Sequence, residues 1–429
     1  MYLDIKLSKF SENLFFIGIF FLPSAMVIGS IFILISSTIS IFINNEKFFK
    51  DKWSLTLILI SLLMLISCLA QTFSYLNKDL YGWKISLTWL GLLNWIPFFY
   101  LFIATKNFLK SSLQRLKVSI LLFSGTIPVL ITGLGQYFFK WEGPLNFGNG
   151  LIIWYLKEIS PWGGVSTLFS NQNYAGTWLS VVWPFSLSFV FLNRSNNYKK
   201  LLSIFLLSIT SLTIILTTSR NALSGVLIAI PIILGIKGLL IISSILIFLL
   251  TLFLLGKFIP LASGLFNFIL SLFPIQLIDK FNQISFSNIL EFRRINLWND
   301  SINLIATRPI FGLGAAFFPI LYSVYYNPKN YIEQHTHNLF LELATGYGFI
   351  VSFTFLIFII TLFFYGWKFL EKEKKYKDSY IINKTWFAAS LIIVLSQMND
   401  VTYYDGRISI IFWVLLSGLR NIILFNIKN

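Results

Sequence analysis

Uninterrupted apolar runs of ~20 residues recur along this chain, each long enough to carry a helix across the ~30 Å of hydrocarbon in a bilayer. The runs are continuous rather than alternating, which speaks against a barrel. Composition agrees: 56% of the residues are hydrophobic and 12% charged, against about 25% charged in a soluble domain. The expected fold class is an all-α integral membrane protein of about twelve transmembrane helices, a single polytopic domain over 1–429. A hairpin of two short spans fits 12–43, where Pro23 interrupts a run too long for one helix. Further spans are expected near 54–73, 85–104, 118–137, 175–192, 201–218, 222–236, 239–258, 338–364, 386–398 and 408–427. Two connecting segments are long, 138–173 and 259–337, and short helices are expected in both.

The net charge of +16 invites a nucleic-acid reading, but basic loops orient any polytopic protein. With a cytoplasmic N-terminus, the basic loops fall on the inside. They are the loops holding Lys47, Lys50 and Lys52; Lys106, Lys110, Arg115 and Lys117; Arg194, Lys199 and Lys200; Lys237; and the run EKEKKYK after Phe369. Both termini are then cytoplasmic, and 259–337 becomes a large external loop inserted before a late span. The opening MYLDIKLSKF carries no cleavable-signal pattern, so the first span is expected to stay. Cys68 stands alone inside an apolar run and forms no internal disulfide.

In so apolar a chain, the informative residues are polar groups that topology does not require. Three places stand out, all on the outer face by this topology. In TTSRNALSG, Arg220 sits between two spans, where it either snorkels at a helix end or faces an anion. In EFRRINLWNDSINLIATRPIFGLG, Arg293 and Arg294 precede Trp298, and Arg294 shares a helix face with it. Arg308 follows, just before the Pro–Gly turn. A solvated surface helix accounts for this pattern; so does a phosphate site, because a guanidinium bonds two oxygens at once. In HTHN, His335 and His337 are the only histidines. Two of them, with no external Cys, fall short of the three or four ligands that zinc requires. A structural His near a helix start and a general base titrating near neutral pH both remain open. There is no Walker A pattern and no GxGxxG after a strand, so no cofactor or nucleotide is expected.

In their order along the chain, FSNQNYAGTWL, TTSRNALSG, RINLW, RPIFGLGAAFF and HTHNLFLELATGYGF resemble the O-antigen ligase and O-antigen polymerase superfamily of bacterial envelopes. The resemblance covers roughly 169–349; the spans before 138 match only in hydropathy. One departure is Val351, which stands where ligases carry the second glycine of a Gly-x-x-Gly pattern. The resemblance implies a multi-pass protein of the bacterial inner membrane, a helix bundle with a periplasmic loop capping a lipid-facing cavity. It also implies metal-independent transfer of a glycan from undecaprenyl diphosphate to an acceptor hydroxyl on the periplasmic side. The acceptor is the lipid A–core oligosaccharide in ligases and another lipid-linked repeat unit in polymerases.

On that reading His337, chosen over His335 because it precedes Asn338, takes the acceptor proton, while Arg220 and Arg294 hold the diphosphate. Direct displacement inverts the anomeric carbon. Gln172, Asn173 and Tyr174 begin a span on the same face, where they bond sugar hydroxyls or cap the helix, and Gln136 is a weaker candidate of that kind. Trp298 stacks on a sugar or anchors at the interface. Glu342, a turn into its span, pairs with an arginine or orients the histidine. Arg293, Arg308, His335 and Asn338 complete the substrate-binding candidates. Membrane lipids and the two glycans are the expected partners, and no nucleic acid is. Rival readings are a transporter, which would place charges near mid-membrane, and a scaffold, which would tolerate loss of the histidine.

Overall fold

A computed structural model of the chain describes residues 2–43, 51–76, 80–282, 293–326, 333–371 and 377–428. Lys47, Lys50 and most of the EKEKKYK run lie outside the described residues. The expected N-terminal hairpin is present as α1 (Tyr2–Phe21) and α2 (Met26–Ile43), with Pro23 in the reversal between them. After α3 (Lys52–Ser74), the next span is broken into α4 (Ser86–Gly91), a short 3-10 turn, and α5 (Ile96–Ala104). Pro97 stands in the first turn of α5, where a missing N–H costs no helical bond. α6 (Ser112–Phe139) begins with a reciprocal cap between Ser111 and Gln114.

The segment after α6 departs from expectation. In place of short helices it forms a hairpin of β1 (Leu145–Phe147) and β2 (Ile152–Trp154), paired antiparallel with Leu145 opposite Trp154. The turn residues Gly148, Asn149 and Gly150 all have positive φ, which Gly and Asn accept most readily. Trp154 anchors the hairpin by donating from its indole to the Ser24 carbonyl at 2.8 Å.

The chain then runs through α7 (Gln172–Leu192), α8 (Asn197–Leu216), α9 (Arg220–Leu234) and α10 (Ile236–Leu255). The second long segment holds α11 (Pro260–Ser271), α12 (Ile275–Asn282), α13 (Arg293–Thr307) and α14 (Phe318–Tyr326), short helices as expected. The last elements are α15 (Leu339–Tyr347), α16 (Phe349–Leu370), α17 (Lys377–Ser396) and α18 (Gly406–Lys428). Among the described residues, ten helices are long and apolar enough to cross a membrane. Two expected spans fall short of that measure: α1 opens with Asp4, Lys6, Lys9 and Glu12, and α9 has 15 residues.

α18 is the centre of the bundle, 94% buried over its apolar window, whereas α10 is 11% buried and presents Leu, Ile and Phe outward as a lipid-facing helix does. The interior of the bundle carries charge. Arg420 is fully buried in α18 and donates to Asp51 Oδ2 at 3.2 Å and to the Phe102 carbonyl at 2.9 Å. A smaller core of Tyr75, Trp83, Leu297, Leu313, Phe317 and Leu321 joins α13 and α14 to the chain after α3.

One expected span is two helices. Between α15 and α16, Gly348 has φ +95° and ψ 162°, a conformation open essentially to glycine alone. A Cβ there would collide with the Ile310 carbonyl. The break lets the PIFGLG turn dock on the end of α15: Leu313 N donates to Thr345 O and Phe349 N to Pro309 O, both at 2.7 Å. Two motifs separate in sequence therefore form one backbone junction.

Candidate functional site

Helix ends are chemically unfinished, because the last carbonyls and first amides lack intrahelical partners. At the C-terminus of α17 the chain satisfies them across helices. Asn221, in the first turn of α9, donates to the Ser396 carbonyl at 3.0 Å. Leu339 N, at the start of α15, donates to Gln397 O at 2.9 Å, and Asn338 Nδ2 donates to Met398 O at 3.2 Å. Asn338 also caps α15, its side-chain oxygen accepting from Phe340 N and Leu341 N. Asn338 is thus occupied as a clamp between α15 and α17, not held out to a ligand.

This clamp brings His337 against the loop after α17. His337 has φ +53°, a left-handed conformation that histidine visits more readily than most residues. Its Nδ1 lies 2.8 Å from Asp400 Oδ1, and its Nε2 lies 3.3 Å from Glu333 Oε2. The imidazole is 24% exposed, Glu333 7% and Asp400 9%, so the ring reaches solvent between two buried carboxylates. Burial disfavours the imidazolium, but the bond and charge of Asp400, aided by Glu333, outweigh it and raise His337 above its ordinary value of 6.5. Arg294 opposes that rise. Burial also works against the Asp400 carboxylate, yet His337, then Arg294 and His335, hold it below its ordinary value.

Asn173 joins the same cluster, its amide donating to Asp400 Oδ2 at 2.8 Å. The cap of α7 is Asn171, which accepts from Asn173 N at 2.7 Å and so leaves the Asn173 side chain free of capping duty. Tyr174 is partly buried against the main core, near enough to Asp400 and Asp405 to feel both charges.

Cations gather close enough to the imidazole for the charge of one, Arg294, to reach it. The charge of Arg294 acts on His337, on Asp400 and on Arg220. Arg220 opens α9 after the Ser219 cap and donates to the Lys280 carbonyl at 3.1 Å. Lys280 on α12 donates to Thr218 O at 3.1 Å and Thr218 Oγ1 at 2.7 Å. Burial, then the neighbouring Arg220, push the Lys280 ammonium down to about 8. Among the described residues, none of these three cations has a carboxylate within salt-bridge distance.

Other sequence candidates are placed elsewhere or otherwise engaged. Arg308 stacks over the Tyr75 ring at 4.2 Å and lines a separate aromatic cavity with Phe317 and Tyr326. Gln172 turns inward, accepting from Gly164 N and from Thr218 Oγ1, so it braces two loops rather than meeting a sugar. Gln136 is buried and bonded to Lys157 O and Thr167 N. The Trp298 indole N–H is buried with no hydrogen-bond partner among the described residues, and nothing in the structure explains it. Among the described residues Glu342 has no bond to an arginine or to the histidine ring; it accepts from Thr336 N at 3.0 Å, Thr336 Oγ1 at 3.2 Å and Tyr404 Oη at 3.2 Å. The His335 ring lies 5.4 Å from that of His337 and 6.0 Å from that of Tyr404. The Arg293 side chain lies outside the described residues.

Sequence reasoning missed Asp400, Glu333 as a histidine partner, Lys280 and Asn221. Asp400 had a signal: a carboxylate in the short break between two late apolar runs, QMNDVTYYDGR. Nearby Asp405 is consumed by Arg407, bonded to both carboxylate oxygens at 3.0 and 2.8 Å.

A bundle of apolar helices that gathers an Asp–His pair and three cations at one end is a multi-pass membrane protein with a polar site at that end. Residues 202–356, about a third of the chain, match the family model described as O-antigen ligase. That stretch, from within α8 to within α16, is similar to this family and overlaps most of the segment whose motifs carry the resemblance. A search of curated proteins returns no match to the chain. Asp400 and Asn173 lie outside the matched residues, yet the fold delivers Asp400 to His337 and Asn173 to Asp400.

Proposed function

We propose that the protein transfers a glycan from undecaprenyl diphosphate to a sugar hydroxyl of a lipid A–core acceptor, at the periplasmic face of a bacterial inner membrane. The observation that carries this reading is the pairing of an Asp-held histidine with Arg220, Lys280 and Arg294, three cations without a carboxylate partner among the described residues. Such a set suits a diphosphate, since a guanidinium binds its oxygens in pairs and an ammonium adds a point charge. The segment 259–337 is the periplasmic loop that supplies Arg294, Lys280 and His337, and both termini are cytoplasmic.

In the proposed reaction Nδ1–H of His337 donates to Asp400, leaving Nε2 to take the proton of the acceptor hydroxyl. The acceptor oxygen displaces Glu333 from Nε2 and attacks the anomeric carbon. The bond from that carbon to the diphosphate breaks, and the electron pair leaves on the diphosphate oxygen. The cations stabilise the charge that grows there. Attack opposite the leaving group inverts the anomeric carbon. The proton held on the His337–Asp400 pair leaves with solvent in a later step.

The test is transfer by purified, membrane-inserted His337→Ala and Arg220→Ala proteins, with surface polysaccharide from a deletion strain run on a gel. Loss of transfer, with lipid-linked polymer that never reaches the core, supports a ligase. Single repeat units on the core would instead make the protein a polymerase, and wild-type turnover in both variants would reject the assignment.

A further inference from the structure

Beside the histidine lies a cavity of about 270 Å³ walled in part by Asn94, Trp95, Gln334, Glu342, Tyr347 and Tyr404. None of the three cations lines it. Its size is near the lower end for small-ligand sites, ~300 Å³, enough for one ring rather than a chain. The Tyr347 side chain is 2% exposed, and its hydroxyl has no hydrogen-bond partner among the described residues. A buried hydroxyl left so is costly unless something polar fills the space. The space is kept open by Gly91, also on the wall, where a Cβ would come within 2.7 Å of that hydroxyl.

We infer that this cavity is the subsite for the acceptor sugar ring, with the Tyr347 hydroxyl and the Glu342 carboxylate bonding its hydroxyls and Trp95 and Tyr404 supplying aromatic walls. The inference rests on the transfer reaction proposed above. Glu342 accepts three hydrogen bonds in the structure, and a carboxylate has room for about four. Its negative charge repels a diphosphate and suits a neutral ring. The cavity also adjoins the base: Thr336, next to His337, bonds Glu342, and the His335 ring bridges from Tyr404 towards His337. A ring seated there presents a hydroxyl towards His337 from a cavity that none of the three cations lines.

Tyr347→Phe tests this cleanly, because the hydroxyl it removes bonds nothing among the described residues, so a purely structural role predicts equal or greater stability and unaltered kinetics. Transfer is measured with undecaprenyl-diphosphate-linked glycan and delipidated core oligosaccharide from the same cells, and binding of the radiolabelled oligosaccharide is measured separately on detergent-purified protein. Expected are an acceptor KM raised roughly 2- to 10-fold, the worth of one hydrogen bond, an unchanged donor KM, and weaker oligosaccharide binding. Glu342→Gln should raise the acceptor KM as well, while Arg220→Ala should leave oligosaccharide binding intact. Unaltered acceptor KM and binding in Tyr347→Phe would overturn the subsite even if transfer depends on His337. Tyr347-dependent binding without transfer by the wild-type protein would sink the proposed reaction and leave the subsite standing.

Discussion

Asp400 Oδ1 sits 2.8 Å from His337 Nδ1 across 63 residues of sequence, and the contact exists because α9 and α15 both finish the C-terminal turn of α17. The clamp fixes which nitrogen faces Asp400 and therefore which one faces solvent. It also sets the direction of the titration. His337 is raised above 6.5, so its neutral, base-competent form appears only as pH climbs through that raised value. The stabilisation from the protonated pair runs the other way: it is fully present below 6.5 and is lost as pH rises through the raised value.

Asp400→Asn keeps the shape and removes the charge. Transfer should fall roughly 100-fold, within the range a general base contributes. The acid limb of the rate profile, above 6.5 in the wild type, should move to lower pH. A pH–rate series on the folded variant checks this; an acid limb that stays in place would detach Asp400 from the histidine's chemistry.

Lys280 makes a distinct pH prediction. Its ammonium, pushed to about 8, is charged below that value and neutral above it. Donor affinity should weaken as pH rises past about 8. Lys280→Met should raise the donor KM roughly 10-fold, as loss of a hydrogen bond to a charged group does, and should abolish the alkaline weakening. Donor KM measured across this range decides it.

Gly348→Ala should lower stability by about 3 kcal/mol, through its positive φ and the collision with the Ile310 carbonyl. Gly346→Ala, two residues earlier, meets nothing nearer than Ala315 Cα at 3.9 Å and should be tolerated. Thermal melts of the two detergent-solubilised variants give the comparison. Equal melting temperatures would mean the α15–α16 break does not need glycine.

Asp51→Ala strands Arg420 as a buried, uncompensated charge and should cost about 3–5 kcal/mol. The pair lies at the end of the bundle remote from His337, so transfer per folded molecule should hold. A melt paired with active-fraction kinetics separates the two effects.

The sequence by itself determined the helices. Their apolar runs are dictated by the thickness of hydrocarbon, and their ends by Pro23, by the Ser, Asn and Asp caps, and by polar breaks, all of which are local. It also brought His337, Arg220 and Arg294 to notice, because charge and imidazole are conspicuous in so apolar a chain. Only the tertiary structure decided what those groups meet. Asp400 looked like any loop carboxylate, Lys280 like one more lysine, and the hairpin at 145–154 was too short for a periodic pattern to reveal. Arg308 and Gln172 shared a face with the site in sequence yet were drawn to Tyr75 and Gly164. The physical reason is the same in each case. A helix end must find partners for its unpaired carbonyls and amides, and which neighbour supplies them depends on packing between helices far apart along the chain.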